Sequence, residues 1–165
     1  MKARKQTLVI ALAVILTLTI APLTVFGQDK TDKSLRDVGN TIEGVWRNQV
    51  TVKDCQSGAV LVTFPGLLNY HQGGTMSETG GTNPALRSPG YGVWTRTGGR
   101  TYESKFTFFT FDPDGTLNGS QKVNQNIVIS RNGNRLTDNA TAEIFNAAGD
   151  LLFTVCATAH ATRFE

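Results

Sequence analysis

The chain is poor in the residues that build metal and thiol chemistry, with 2 Cys and 2 His in 165 residues. His71 and His160 fall on separate segments without the further ligands that a zinc centre needs. No acidic series has the spacing of a calcium loop. A strand-to-helix serine elbow, a phosphate-binding loop and a dinucleotide-binding glycine pattern are also missing. No catalytic residue, metal or cofactor is therefore assigned from motifs. Charge of one sign is lacking too. Of 16 basic and 13 acidic residues, three of the basic ones (Lys2, Arg4, Lys5) precede residue 27, leaving 13 of each. A formally neutral body argues against a nucleic-acid surface and against a polybasic membrane patch. Helical periodicity is absent from every ten-residue stretch after Gly44.

One long apolar run stands out. Leu8 to Ile20 carries no charge and follows the positive cluster of Lys2, Arg4 and Lys5. Pro22 then interrupts it, and Val25-Phe26-Gly27 places small residues at the −3 and −1 positions of a peptidase site. That order predicts a cleaved export signal over 1–27, and hence a secreted or periplasmic protein with no membrane span once the signal is removed. An uncleaved anchor is the competing reading, since Leu8 to Phe26 approaches spanning length. The Pro and the triplet behind it favour cleavage. Residues 28–42 are polar and read as a linker.

From residue 43 onward the pattern is all-β. Strands are expected at 44–53, 60–70, 74–80, 91–97, 100–111, 116–130, 135–146 and 151–164. Gly73-Gly74, Gly98-Gly99, Asn132-Gly133 and Gly149-Asp150 are hairpin signals, and Asp112-Pro113-Asp114-Gly115 reads as a type I turn. Only 80–90 is a long connection. Alternation is clear in 100–111, where Tyr102, Ser104, Phe106 and Phe108 share one face and Thr101, Glu103, Lys105 and Thr107 the other. Eight strands joined mostly by tight turns predict an up-and-down antiparallel barrel, which closes to remove its edges.

The cysteines bear on closure. In an exported chain, Cys55 and Cys156 are expected to form one disulfide. Placed directly opposite each other on the first and last strands, they set Asn48 opposite Arg163, with Trp46 beside it. Both thiols then point outward, as a bridge requires, while Trp46 and Arg163 point inward at the other end. A sandwich would not need those strands to meet.

Gly44-Val45-Trp46 on the first strand and an inward Arg163 on the last resemble the signature of lipocalins and related calycin barrels. That resemblance implies a Trp sealing the barrel base under a basic side chain. The motif covers three or four residues. No Thr-Asp-Tyr motif precedes the seventh strand, where Arg131-Asn132-Gly133-Asn134 stands, and no helix follows the last strand. A second Gly-Val-Trp occurs at 92–94. These departures suit a looser bacterial lipocalin-like barrel, or an allene oxide cyclase-like one, at least as well.

The topology places Asp54, Asp112, Asp114 and Asp150 at the end away from Trp46, and Arg96, Arg100, Arg131 and Arg135 at the base. Aspartates at turns are also what local hydrogen bonding prefers. Tyr102, Phe106 and Phe108 are expected to face Ala140, Ala142, Ala157, Ala159 and Ala161 across the interior. Large against small residues either interdigitate or leave a pocket, and eight strands permit both. Tyr102, Phe106, Phe108, Gln121 and Gln125 are the candidate lining of a site for a small hydrophobic or amphipathic ligand. Glu78 and Asp138 are the acidic residues that alternation could turn inward. A salt bridge or solvent at a strand end is the reading favoured for both. Catalysis of an isomerase or cyclase type, using an inward carboxylate and Tyr102, is the alternative function. A filled barrel acting through its surface is the third. The residues leave the oligomeric state open.

Overall fold

The structure, a computed structural model, describes residues 41–164. The expected export signal and residues 28–40 of the expected linker lie outside the described residues. Eight strands run β1 Gly44–Lys53, β2 Val60–Tyr70, β3 Thr75–Gly80, β4 Gly90–Arg96, β5 Thr101–Phe111, β6 Leu117–Ile129, β7 Arg135–Asn146 and β8 Leu151–Arg163. Each pairs antiparallel with its neighbour in sequence, and β1 pairs with β8 to close the barrel. The all-β up-and-down architecture follows from alternation: in β5 the inward residues Tyr102, Ser104, Phe106 and Phe108 are buried while those between them are exposed. The fold is compatible with a lipocalin-like barrel.

The β1–β8 register differs from the expected one by two residues. Trp46, not Asn48, lies opposite Arg163, and Lys53 opposite Cys156. Cys55 sits past the end of β1, in the 54–59 turn, and bonds diagonally to Cys156 with a Cα–Cα distance of 5.0 Å. The disulfide thus bridges the turn to the last strand instead of joining directly opposed residues. Such a covalent bond belongs in an oxidising compartment.

The base of the barrel is solid. Trp46, Leu68, Tyr70, Met76, Tyr102, Ile127, Ile129 and Leu136 form one buried cluster there. Ile42, the last residue of the stretch expected as linker, belongs to it. Ile42 is fully buried, and its carbonyl accepts a hydrogen bond from the Trp46 indole N–H at 2.7 Å. Trp94, from the second Gly-Val-Trp, also packs at this end and donates its indole N–H to the His71 carbonyl at 2.9 Å. Gly92 is required where β4 crosses closely over β5, because a Cβ there would collide with the Lys105 carbonyl.

Candidate functional site

Above the base the interior opens. A cavity of about 460 Å³ occupies the other end of the barrel, within the range of small-molecule sites. The reason is local and chemical. Strands β7 and β8 contribute Ala140, Ala142, Ala157 and Ala159 to the lining, and these stop short of Phe106 and Phe108 on β5. A single methyl on each inward position of that wall leaves space that Leu or Phe would fill. Val50 and Val52 on β1, Phe64 on β2 and Val123 on β6 make most of the rest of the wall apolar. At the rim, Leu61 and Phe153 line the opening and are 58% and 56% exposed.

The floor is polar and internally wired. Gln125 stands at its centre: the Ser104 hydroxyl donates to its Oε1 at 2.6 Å, and the Tyr70 hydroxyl donates to the same oxygen at 3.4 Å. Gln125 Nε2 in turn donates to Asp138 Oδ2 at 3.2 Å. Asp138 is only 4% exposed, and among the described residues no basic group lies within ion-pair distance of it. Desolvation raises its carboxyl to a pKa of about 7. Burial, with Asp138 close by, pushes the Tyr70 phenol far above its usual value, so it stays a donor.

A second polar group lies on the wall. Arg87, from the connection between β3 and β4, enters the mouth and pairs with Glu78, both largely buried. Its guanidinium also lies 3.7 Å over the Phe108 ring. Burial holds the Glu78 carboxyl above its ordinary value, against the lowering effect of Arg87. The connection is anchored by a short 3₁₀ turn, Pro84–Leu86, capped by the Asn83 side chain, and by Ser88, whose N–H donates to the Phe109 carbonyl at 3.0 Å. Met76, Glu78 and Gly80 all face inward, which settles the dry face of β3.

Phe106, Phe108, Gln121 and Gln125 line the cavity. Tyr102 does not. It lies one inward step below Ser104, in the solid base, with its ring 5.9 Å from that of Trp94 and its hydroxyl buried without a partner. An acid–base role pairing Tyr102 with a cavity carboxylate therefore lacks the geometry. Asp138 is neither at an exposed strand end nor in a salt bridge; it is the fourth residue of β7 and walled in by β6 and β8. Alternation through Leu136, Asp138, Ala140 and Ala142 carried the signal for its inward face. Arg87 has no such signal, since it lies in an irregular connection.

The aspartates of the mouth are committed to their own turns. Asp54 accepts from Gln56 N, Ser57 N and the Ser57 hydroxyl, which lowers its pKa. Asp114 accepts from Thr116 N, Asp112 from Asn118 and Asp150 from Asn146. Local hydrogen bonding accounts for all four. Among the described residues no group of three or more His, Cys, Asp or Glu is placed to hold a metal ion. His71, just past the end of β2, and His160, on β8, are both exposed.

Comparison with known proteins finds no match for the chain among family models, curated proteins or solved structures.

Proposed function

We propose that this protein is an exported carrier of one small amphipathic molecule, held in the barrel cavity. The observation that carries the reading is the cavity itself: apolar walls, an open apolar rim and a hydrogen-bonded polar floor. Apolar walls contribute affinity by desolvation, and a few fixed polar groups set orientation. The export half of the proposal rests on the N-terminal pattern of Lys2 to Gly27 and is supported by the disulfide. Native mass spectrometry of protein purified from its own host, before and after organic extraction, tests the carrier. One extractable molecule per chain supports it. A bare mass, with no uptake of the neutral probe N-phenylnaphthylamine by the extracted protein, refutes it.

A second reading has its own observation. A carboxyl with a pKa of about 7 at the floor of an apolar-walled cavity is poised to move a proton. Turnover of the extracted molecule by the purified protein, abolished by Asp138→Asn, would make the cavity an acid–base active site instead of a store.

A further inference from the structure

We propose that the ligand of this cavity is an amphipathic cation, a lipophilic amine whose ammonium group sits against Asp138 on the cavity floor. This rests on the carrier reading and narrows it to one chemical class.

Among the described residues, three charged side chains line the cavity: Glu78, Arg87 and Asp138. Arg87 is already paired with Glu78 and stacked on Phe108. Asp138 is left as the single uncompensated charge, buried where an isolated carboxylate is costly. A cationic ligand supplies the missing partner. An anionic ligand finds Arg87 already spent on Glu78 and meets the Asp138 carboxylate as a like charge.

The hydrogen-bond directions agree. Both hydroxyls of the floor, Ser104 and Tyr70, donate to Gln125 Oε1, and the Gln125 amide donates to Asp138. Both floor hydroxyls are thus spent on Gln125, while among the described residues Asp138 accepts from Gln125 alone and keeps acceptor capacity for a ligand. An ammonium group offers up to three donors to such a site. The tail then runs past Phe106 and Phe108 to the exposed apolar rim.

Decylamine, decanol and decanoate share one tail and differ only in the head. Competition of each against N-phenylnaphthylamine, at about pH 8 with the disulfide intact, separates the cases. Decylamine is expected to bind about tenfold or more tighter than decanol, and decanoate weakest, as a charge-assisted pair requires. Asp138→Asn should remove the amine preference, bringing decylamine to within about twofold of decanol. Decanol binding with no preference for the amine, or with decanoate tightest, overturns the inference while leaving the carrier reading intact. An amine preference that survives in a folded Asp138→Asn also overturns it. If that variant folds poorly, the ranking on the unmodified chain decides. Failure of the probe and all three compounds to bind removes the carrier reading and this inference together.

Discussion

The Arg163 guanidinium lies 4.3 Å over the Trp46 ring and donates at once to the carbonyls of Thr41, Glu43 and Gly133, at 2.7, 2.6 and 3.0 Å. One side chain thereby ties the N-terminal entry, the first strand and the β6–β7 turn into the base of the barrel. The planar fork matters, because an ammonium cannot reach three carbonyls while stacking on an indole.

Arg163→Ala is expected to destabilise the barrel by about 2–4 kcal/mol, since several carbonyls lose a charged donor and Trp46 loses its cover. Arg163→Lys should recover less than half of that. Urea denaturation of the three proteins, followed by tryptophan fluorescence, measures both.

The Cys55–Cys156 bond closes a loop with a sequence separation of 101 residues. The chain-entropy estimate for such a loop is about 4–5 kcal/mol. Replacing both cysteines by Ser should lower unfolding stability by about 3–5 kcal/mol, and reductant should then leave the variant unchanged. Chemical denaturation with and without reductant reads the outcome. A loss below about 1 kcal/mol would mean that closure of the sheet alone secures the mouth.

Asp138 makes stability pH-dependent in a definite sense. Its folded pKa of about 7 lies above the ordinary value of 3.8, so between those values the folded state holds more protons than the unfolded one. Stability contributed by the neutral acid is full below about pH 4, declines as pH rises through about 7, and is flat above. Glu78, also raised by burial, acts in the same direction, whereas the lowered Asp54 and Asp114 act oppositely. The Asp138 part is of the order of 4 kcal/mol at most. Asp138→Asn keeps an acceptor for Gln125 and is expected to be more stable than the parent at about pH 8 and close to it at about pH 4. Denaturation midpoints across that range check the sign.

Ala157→Phe places an aromatic ring in the space left by the alanine wall. Because the volume already exists, the change should cost less than about 1.5 kcal/mol, unlike a ring forced into a packed core. Uptake of an apolar fluorescent probe should fall by about tenfold or more. A variant that is equally stable and still binds the probe would place the ligand outside the cavity.

Strand positions were legible because their signals are local. Period-two alternation and turn residues such as Gly73-Gly74 and Asp112-Pro113-Asp114-Gly115 put every strand boundary within one residue of its place. The β1–β8 register was less so. Two cysteines can be bonded either directly across a ladder or from a turn to a strand, and only the second occurs here. Tyr102 has the parity of a cavity residue, but parity does not encode depth, and it lies below the floor. Gln125 and Asp138 were each legible as inward-facing. Their contact was not, because it joins neighbouring strands β6 and β7 diagonally, off the direct pairing of Gln125 with Ala140.

The residues by themselves determined an all-β chain, its hairpin order, the inward placement of Trp46 and Arg163, and an alanine-rich wall facing aromatic residues. Each follows from interactions between neighbours in sequence or from the pleat of a single strand. Tertiary structure decided the rest: that the alanines leave a cavity, that Arg87 folds in to neutralise Glu78, and that no cation among the described residues reaches Asp138. These are outcomes of which side chains meet across a closed barrel, where burial sets the energy of a charge and where groups distant in sequence share one dry space.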